Sequence, residues 1–343
     1  MKKFLSIVLA LTFVLCAFAG CNAGKPEETT ANEETKAPEN NDAPKTLKFG
    51  MGFVAEYGAP VDADGDVNGS CKVSATVAAV LVDADGKIVS ATVDAMDVTA
   101  EWTSEGAAVP ASEIKTKREL GDAYNMVMYG QAKAEWYAQA DNFCKLIKGK
   151  TANEVMLLVS EGNKGTDEVV NAGCTIMIKD FAVAIERAVS NAKDSDATAD
   201  ATLAIGMYAD ASTVDADADV AGEYGVDIYA TAVAKKDGKV VASKSDCAPA
   251  KVGFNADGTA TGTTPGIQTK GEQGDNYNMV MYGNAKAEWY KQAEAFDAAC
   301  KGKTAAEIEK LVTADGKGVE SLQSANCTIY VTGFVKTAVK AAK

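Results

Sequence analysis

The chain has 343 residues, no histidine, a formal net charge of −14 and a pI near 4.6. This acidic balance argues against nucleic acid and anionic lipid headgroups as partners, because both are bound by clustered Lys and Arg. Without histidine, a Ser-His-Asp triad, a Cys-His pair, His-ligated zinc and haem with a histidine ligand are excluded, which leaves carboxylates, Lys, Cys and bound cofactors for chemistry.

The N-terminus has the features of an export signal. Lys2 and Lys3 precede an apolar stretch, Phe4 to Phe18, and the small residues Ala19 and Gly20 precede Cys21. This pattern resembles the lipobox of bacterial lipoproteins, in which the cysteine is lipidated and becomes the new N-terminus. We therefore expect a lipoprotein signal peptide over residues 1–21 and a lipid anchor on Cys21 at the extracellular face of the cell membrane. An ordinary secretory signal is the alternative.

Residues 22–46 are rich in Glu, Thr, Asn, Lys, Ala and Pro and offer almost nothing apolar to bury. Such a composition cannot offset the entropy cost of ordering, so it predicts a disordered tether. The later sequence contains no second apolar run long enough to cross a bilayer. The remaining length suits two domains of ordinary size.

An internal repeat organises the rest of the chain. The segment Ile114–Met126 recurs as Ile267–Met279, an offset of 153 (267 − 114), and the match continues through the following helical segment. The repeat predicts two modules, residues 47–193 and residues 200–343, each expected to fold independently.

Each module begins with strand patterns. Leu47–Tyr57, Cys71–Val82 and Lys87–Val93 are alternating or rich in β-branched residues, and Asp83–Gly86 predicts a turn between the last two. In the second module Asp237-Gly238 takes the same place. A small antiparallel sheet is therefore expected at the start of each module.

Helical patterns follow. Apolar residues recur at helical spacing in both modules (Ala132, Trp136, Ala140, Phe143, Ile147; Ala285, Trp289, Ala293, Phe296, Cys300). The sequences starting at Thr151 and Thr304 predict capping boxes that open a second helix, and a last helix is expected from Asp180 to Ala192. The expected fold class is α+β, as two tandem repeats, each a small antiparallel sheet followed by three helices.

Metal and disulfide sites are weakly indicated. Asp62–Gly69 hints at a calcium loop, but Val67 and Val73 stand where an EF-hand needs Gly and Glu, which favours a solvated acidic turn. The modules hold six cysteines, three in each, without a Cys-x-x-Cys pair (Cys71, Cys144, Cys174, Cys247, Cys300, Cys327). A disulfide or two is allowed but not indicated.

A threonine lies at the same point of both modules. Asn171–Ile178 is matched by Ser324–Val331. If this segment is a strand, alternation places Cys174, Ile176 and Ile178 on an apolar face. Thr175 and Met177 then lie on the opposite face. In the second module, Thr328 is expected to lie on the face opposite the apolar one.

This segment carries a family resemblance. Asp167 followed by Ala172-Gly173-Cys174-Thr175 resembles the Asp…Ser-Gly-Ala-Thr signature of FMN-binding domains, and Glu320 with Ala325-Asn326-Cys327-Thr328 is a weaker copy. Cys replaces the Ala of the signature in both, and the second copy has Glu320 for Asp and Asn326 for Gly. The wider module, with its Glu-Trp-Tyr-x-Gln-Ala segment, is similar to tandem flavin-bearing surface lipoproteins of Gram-positive extracellular electron transfer.

The resemblance implies that Thr175 and Thr328 carry FMN through a phosphoester made by a flavin transferase. Asp167, Gly173, Cys174 and Cys327 are the other signature positions that it places at the cofactor. It also implies a membrane electron donor and an extracellular acceptor as partners, and an electron-transfer flavoprotein rather than a hydrolase or a transferase. Flavin chemistry needs no histidine, because the ring itself exchanges electrons.

The loop before the Trp136 helix offers groups for the flavin ring. Aromatic and thioether side chains that can stack on the ring recur in both modules (Tyr124, Met126, Tyr129; Tyr277, Met279, Tyr282). Taken individually, each of these side chains is explained more readily as a core residue than as a ligand contact. Lys115 and Lys117 are candidates for neutralising a phosphate, where the second module has Gln268 and Lys270.

Two other functions remain open from the sequence. One is a lipoprotein that binds a small ligand or a surface partner without redox chemistry. The other is a structural surface lipoprotein without a ligand.

Overall fold

The computed structural model describes residues 45–262 and 266–343. The expected signal peptide, the lipidated Cys21 and nearly all of the expected tether lie outside the described residues. Within the described part of the chain, no helix is both long and apolar enough to cross a membrane.

The first sheet has five antiparallel strands in the order β4-β3-β2-β1-β5. They are β1 Lys48–Tyr57, β2 Gly69–Val82, β3 Ile88–Trp102, β4 Ala108–Val109 and β5 Lys193–Asp194. The turn expected at Asp83–Gly86 is confirmed: Gly86 has φ +76°, and the Asp83 carboxylate accepts the N–H groups of Asp85 and Lys87. Strand β3 continues nine residues past the expected end at Val93, because β2 pairs with it as far as Trp102.

The second sheet has three long antiparallel strands in the order β6-β7-β8. They are β6 Thr202–Val214, β7 Gly222–Lys236 and β8 Lys239–Phe254. The turn expected at Asp237-Gly238 is confirmed, and both residues have positive φ, as a two-residue hairpin turn that matches the strand twist requires.

Helices follow each sheet. After β4 come α1 Lys117–Leu120, α2 Trp136–Leu146, α3 Ala152–Met156, α4 Asp167–Asn171 and α5 Lys179–Ser190. After β8 come α6 Lys270–Gln273, α7 Met279–Gly283, α8 Trp289–Cys300, α9 Ala305–Ile308, α10 Glu320–Ser324 and α11 Thr332–Ala342. The capping boxes expected at Thr151 and Thr304 are present. The α+β class with antiparallel sheets is therefore confirmed.

The helix positions differ from the expectation in detail. Helix α2 begins at Trp136, so Ala132 precedes it, and the short helices α1 and α4 were not foreseen. The last helix of the first half, expected from Asp180 to Ala192, runs from Lys179 to Ser190; Phe181 and Ile185 on it are buried, whereas Val189 is half-buried.

The two sheets pack face to face and share one core. Their inner faces bury apolar side chains from both halves of the chain (Phe49, Val77, Trp102, Met207, Ile228, Phe254). The rings of Trp102 and Phe254 stack with centroids 5.2 Å apart, and the Trp102 indole N–H donates to the Gly258 carbonyl over 2.8 Å. Because each inner face is buried against the other, the expectation that the two halves fold independently is not supported.

Helices cover the outer faces of both sheets. Trp136, Phe143 and Phe181 pack on the first sheet, and Phe296 and Phe334 pack on the second. Helix α5 approaches β1 so closely that a Cβ on Gly52 would overlap the Ala184 carbonyl oxygen. The resulting order of layers is helices, sheet, sheet, helices.

Candidate functional site

The Thr175 segment is a loop that leaves helix α4, and the expected strand at 171–178 is wrong. The N–H of Cys174 donates to the Val169 carbonyl and that of Gly173 to the Val170 carbonyl, with Gly173 at φ +90°. This is the bond pattern of a Schellman helix end, which overrides the β-propensity of the following residues. The expected alternation still holds, because Cys174 and Ile178 are buried while Thr175 and Met177 are exposed.

The Thr328 segment ends helix α10 in the same way. The N–H of Cys327 donates to the Leu322 carbonyl, and Asn326 has φ +63°. Asn tolerates the left-handed region better than most residues. The departure of Asn326 from the glycine of the FMN-binding signature therefore leaves the backbone conformation unchanged.

A buried glutamine holds the Thr175 residue. The Oε1 atom of Gln139 accepts both the Thr175 N–H, at 2.8 Å, and the Thr175 hydroxyl, at 3.0 Å. The Nε2 atom of Gln139 donates to the Ala134 carbonyl over 2.8 Å. The glutamine is 1% exposed, so its partners are protein groups rather than water.

The same unit occurs at Thr328. The Oε1 atom of Gln292 accepts the Thr328 N–H at 2.7 Å and the Thr328 hydroxyl at 3.1 Å, and its Nε2 atom donates to the Ala287 carbonyl at 2.8 Å. Gln292 is also 1% exposed. Neither glutamine was assigned a role from the sequence; their place in the repeated Glu-Trp-Tyr-x-Gln-Ala segment was the available signal.

A glutamate fixes the neighbouring loop. Glu135 stands just before helix α2, and its carboxylate accepts the N–H groups of Met126 and Val127 at 2.9 and 3.1 Å. Glu288 makes the matching bonds to Met279 and Val280 at the same distances. The loop and the threonine segment therefore converge on the beginning of the same helix, through Glu135 and Gln139 in the first half.

The expected ring-binding side chains divide into two groups. Tyr124, Met126, Tyr277 and Met279 are half-buried and pack on the cores beneath the helices. The loop tips are exposed: Met128 by 70% and Tyr129 by 79% in the first half, Met281 by 70% and Tyr282 by 80% in the second. Tyr129 and Tyr282 are therefore the candidates that remain free to contact a ligand.

The lysines considered for a phosphate are already paired. The Nζ atom of Lys117 lies 3.1 Å from the Asp97 carboxylate and 5.5 Å from the centre of the Tyr124 ring. Lys270 lies 2.9 Å from the Asp227 carboxylate. Lys115 is exposed and lies 3.2 Å from Glu113, and Gln268 is exposed. Because each lysine is balanced by a carboxylate, none supplies an unpaired positive charge beside the threonines.

The acidic signature positions lie at helix beginnings. Asp167 is the first residue of α4 and Glu320 is the first residue of α10, and both are exposed. A carboxylate of either length is favourable there, because a helix N-terminus carries partial positive charge. Among the described residues, no hydrogen bond joins the Asp167 carboxylate to Thr175.

The signature cysteines point into the core. Cys174 and Cys327 have no exposed surface, and burial raises the pKa of each thiol to about 11. The six cysteines of the described chain are all free and buried. The described residues hold no metal-ligand cluster, and Asp62, from the acidic loop, accepts the Ala260 N–H.

Open space lies beside the Thr175 loop. A cavity of about 270 Å³ borders Met177 and is also lined by Tyr57, Lys72, Asn163 and Lys179. Its walls combine an aromatic ring, a thioether, two amino groups and the carboxylates of Glu56 and Asp180, so the lining is mixed in charge.

Comparison with protein-family models, with curated proteins and with solved structures finds no match to this chain.

Proposed function

We propose that the chain is a lipid-anchored extracellular flavoprotein that carries FMN esterified to Thr175 and Thr328 and relays electrons at the cell surface. The proposal includes the two tandem repeats, each a small antiparallel sheet followed by three main helices, with one flavin in each. The proposal is supported above all by one observation: Thr175 and Thr328 are exposed residues at equivalent loops, and equivalent buried glutamines accept hydrogen bonds from their hydroxyl groups.

The residues present fit an ester-linked group. A phosphoester needs a hydroxyl, and Thr175 and Thr328 each offer one on an exposed loop residue. In the first half, a cavity also borders this loop at Met177. Tyr129 and Tyr282 are free to lie against a ring, as expected for aromatic contacts with a flat ligand. The covalent bond would hold the group without a charged phosphate pocket, which agrees with the pairing of Lys117 and Lys270 by carboxylates.

The bound flavin would supply the electron exchange itself, and the chain would hold and partly shield it. Buried Cys174 and Cys327 would close the inner side of each loop, with protonated thiols that take no part in the chemistry. The proposed partners are a flavin transferase, an electron donor in the membrane, to which lipid on Cys21 would tether the protein, and an extracellular acceptor.

A second candidate function is favoured by one observation. A cavity of about 340 Å³ lies between the edges of β1 and β8 and is lined by Phe49, Asn191, Lys244 and Asp297 among others. Its size and its mixed polar and apolar lining suit a small ligand. The second candidate function is therefore a lipoprotein that binds a small ligand without redox chemistry.

Colour separates the two functions. Protein made together with a flavin transferase should be yellow and should remain yellow after denaturation and gel filtration. Thr175→Ser, which keeps a hydroxyl, serves as the matched control for Thr175→Val, which removes it. Colour lost on denaturation would mean non-covalent flavin, and colourless protein would favour the ligand-binding function.

A further inference from the structure

The two glutamines beneath the threonines have an unambiguous orientation. The Nε2 atom of Gln139 faces the Ala134 carbonyl, and its Oε1 atom faces the N–H of Thr175. A flipped amide would set NH₂ against an N–H donor and oxygen against a carbonyl, which is unfavourable on both sides. Gln292 is held in the same way by Ala287 and Thr328.

This orientation determines where the hydroxyl hydrogen points. The amide oxygen can only accept, so the Thr175 hydroxyl must donate to it across the 3.0 Å contact. The hydrogen is then directed into the protein, and the lone pairs of the Thr175 Oγ1 atom are directed outward. The branched Cβ of threonine restricts rotation about χ1 and preserves this arrangement.

We infer that Gln139 and Gln292 are positioning residues that present the threonine oxygens for modification, an inference that rests on the proposed flavin attachment. The donor substrate would be a flavin dinucleotide. The Thr175 oxygen would form a bond to the flavin-side phosphorus while the anhydride P–O bond breaks. The nucleoside monophosphate would leave with that electron pair. As the bond to phosphorus forms, the hydroxyl proton would leave its hydrogen bond to the glutamine, which cannot keep it, and would pass to a base of the transferase or to water.

The glutamines act on geometry and not as bases, because a neutral amide does not take up a proton. Holding the nucleophile in one orientation lowers the entropy cost of reaching the reactive geometry. After the ester forms, the hydroxyl bond is lost, but the bond from the Thr175 N–H to Gln139 remains and keeps the loop in place. The bond to Ala134 also connects the loop to the segment that carries Tyr129.

The two halves provide an internal control in the full chain. Gln139→Met keeps the side-chain length but removes both the acceptor and the donor, and it should slow the initial rate of flavin attachment at Thr175 by roughly tenfold or more while Thr328 reacts normally. Gln292→Met should give the reverse. Peptide mapping after short incubation with the transferase and flavin dinucleotide measures the ratio of the two products within one protein.

A conservative variant separates positioning from folding. In Gln139→Glu, the protonated carboxyl can accept from Thr175 and donate to the Ala134 carbonyl. The carboxylate cannot donate, and repulsion between it and the Ala134 carbonyl oxygen would turn it away from the position that holds Thr175. The ratio of Thr175 to Thr328 modification should therefore be restored at low pH and should fall as the pH rises, while the wild-type ratio stays constant. This pH profile is decisive even if Gln139→Met fails to fold.

The outcomes are distinct. A normal ratio in Gln139→Met, or a pH-independent ratio in Gln139→Glu, with flavin present on the wild-type protein, would overturn the inference and leave the proposed function standing. Wild-type protein without flavin at either threonine would overturn the proposed function, and the inference with it.

Discussion

The guanidinium of Arg187, on helix α5, lies 2.7 Å from the carboxylate of Glu272, in the capping box that opens helix α6. The reverse pair also exists: Lys340, on helix α11, lies 2.7 Å from Glu119, in the capping box of helix α1. Lys340 is the repeat equivalent of Arg187, and Glu272 is the repeat equivalent of Glu119, each at the offset of 153 residues. Each half of the chain therefore contacts the other half through the same surface. This is the pattern of an isologous interface within one chain.

Separated halves should therefore be unstable as monomers. Residues 45–195 or 196–343 alone would expose the inner face of one sheet, so we expect each to self-associate or to lose its cooperative unfolding transition, and the two together to form a 1:1 complex. Light scattering with size-exclusion chromatography and urea titration measures this. A monomeric half with a steep transition of its own would contradict the shared core.

The cysteines should be unreactive in the folded protein. Burial raises the pKa of the Cys144 thiol to about 12 and that of Cys174 to about 11, and the thiolate is the reactive form. In a fragment covering residues 45–343, we expect almost no reaction with a thiol reagent at pH 8, and six thiols after denaturation without reductant. Fewer than six after denaturation would reveal a disulfide.

Asp94 should make stability depend on pH. Burial raises the pKa of its carboxyl from an ordinary 3.8 to about 6, although the Ala95 and Arg118 N–H groups donate to it. The folded protein binds the Asp94 proton more tightly than the unfolded chain does. The contribution of this protonated carboxyl to the stability of the fold is therefore complete below pH 4 and is lost as the pH rises to 6. The amide oxygen of Asp94→Asn can accept the same bonds without a charge.

The Asp94→Asn variant should accordingly be more stable than the wild type at pH 7, by up to roughly 3 kcal/mol, and should lose this advantage near pH 4. Urea unfolding at both pH values measures the difference, with the exposed Glu161→Gln as control. Equal stability of wild type and Asp94→Asn at pH 7 would show that the burial penalty is already offset.

Local signals in the sequence were sufficient for the turns and helix caps. Asp83–Gly86, Asp237-Gly238 and the capping box at Thr151 depend on neighbouring residues alone, and all were predicted correctly. The segment at Thr175 has the apolar alternation of a strand, so its sequence predicts one; the left-handed conformation of Gly173, which ends helix α4, is what makes it a loop.

Long-range features could not be read in the same way. Alternation showed that β1 and β2 have apolar faces, but not that these faces meet the second sheet. The hydrogen bond between Gln139 and Thr175 joins residues 36 positions apart. The fold brings these two residues together, and their spacing in the sequence does not predict the contact.

The proposed site is tested most directly by the mass of the intact protein made with and without a flavin transferase. We expect two FMN esters on the wild-type chain, one on Thr175→Val, one on Thr328→Val and none on the double variant. All four proteins should remain folded, because Val keeps the branched shape at an exposed loop position. Peptide mapping would assign each ester to its threonine. If the mass of the wild type is unchanged with active transferase, or if FMN persists on the double variant, Thr175 and Thr328 are not the sites of flavin attachment.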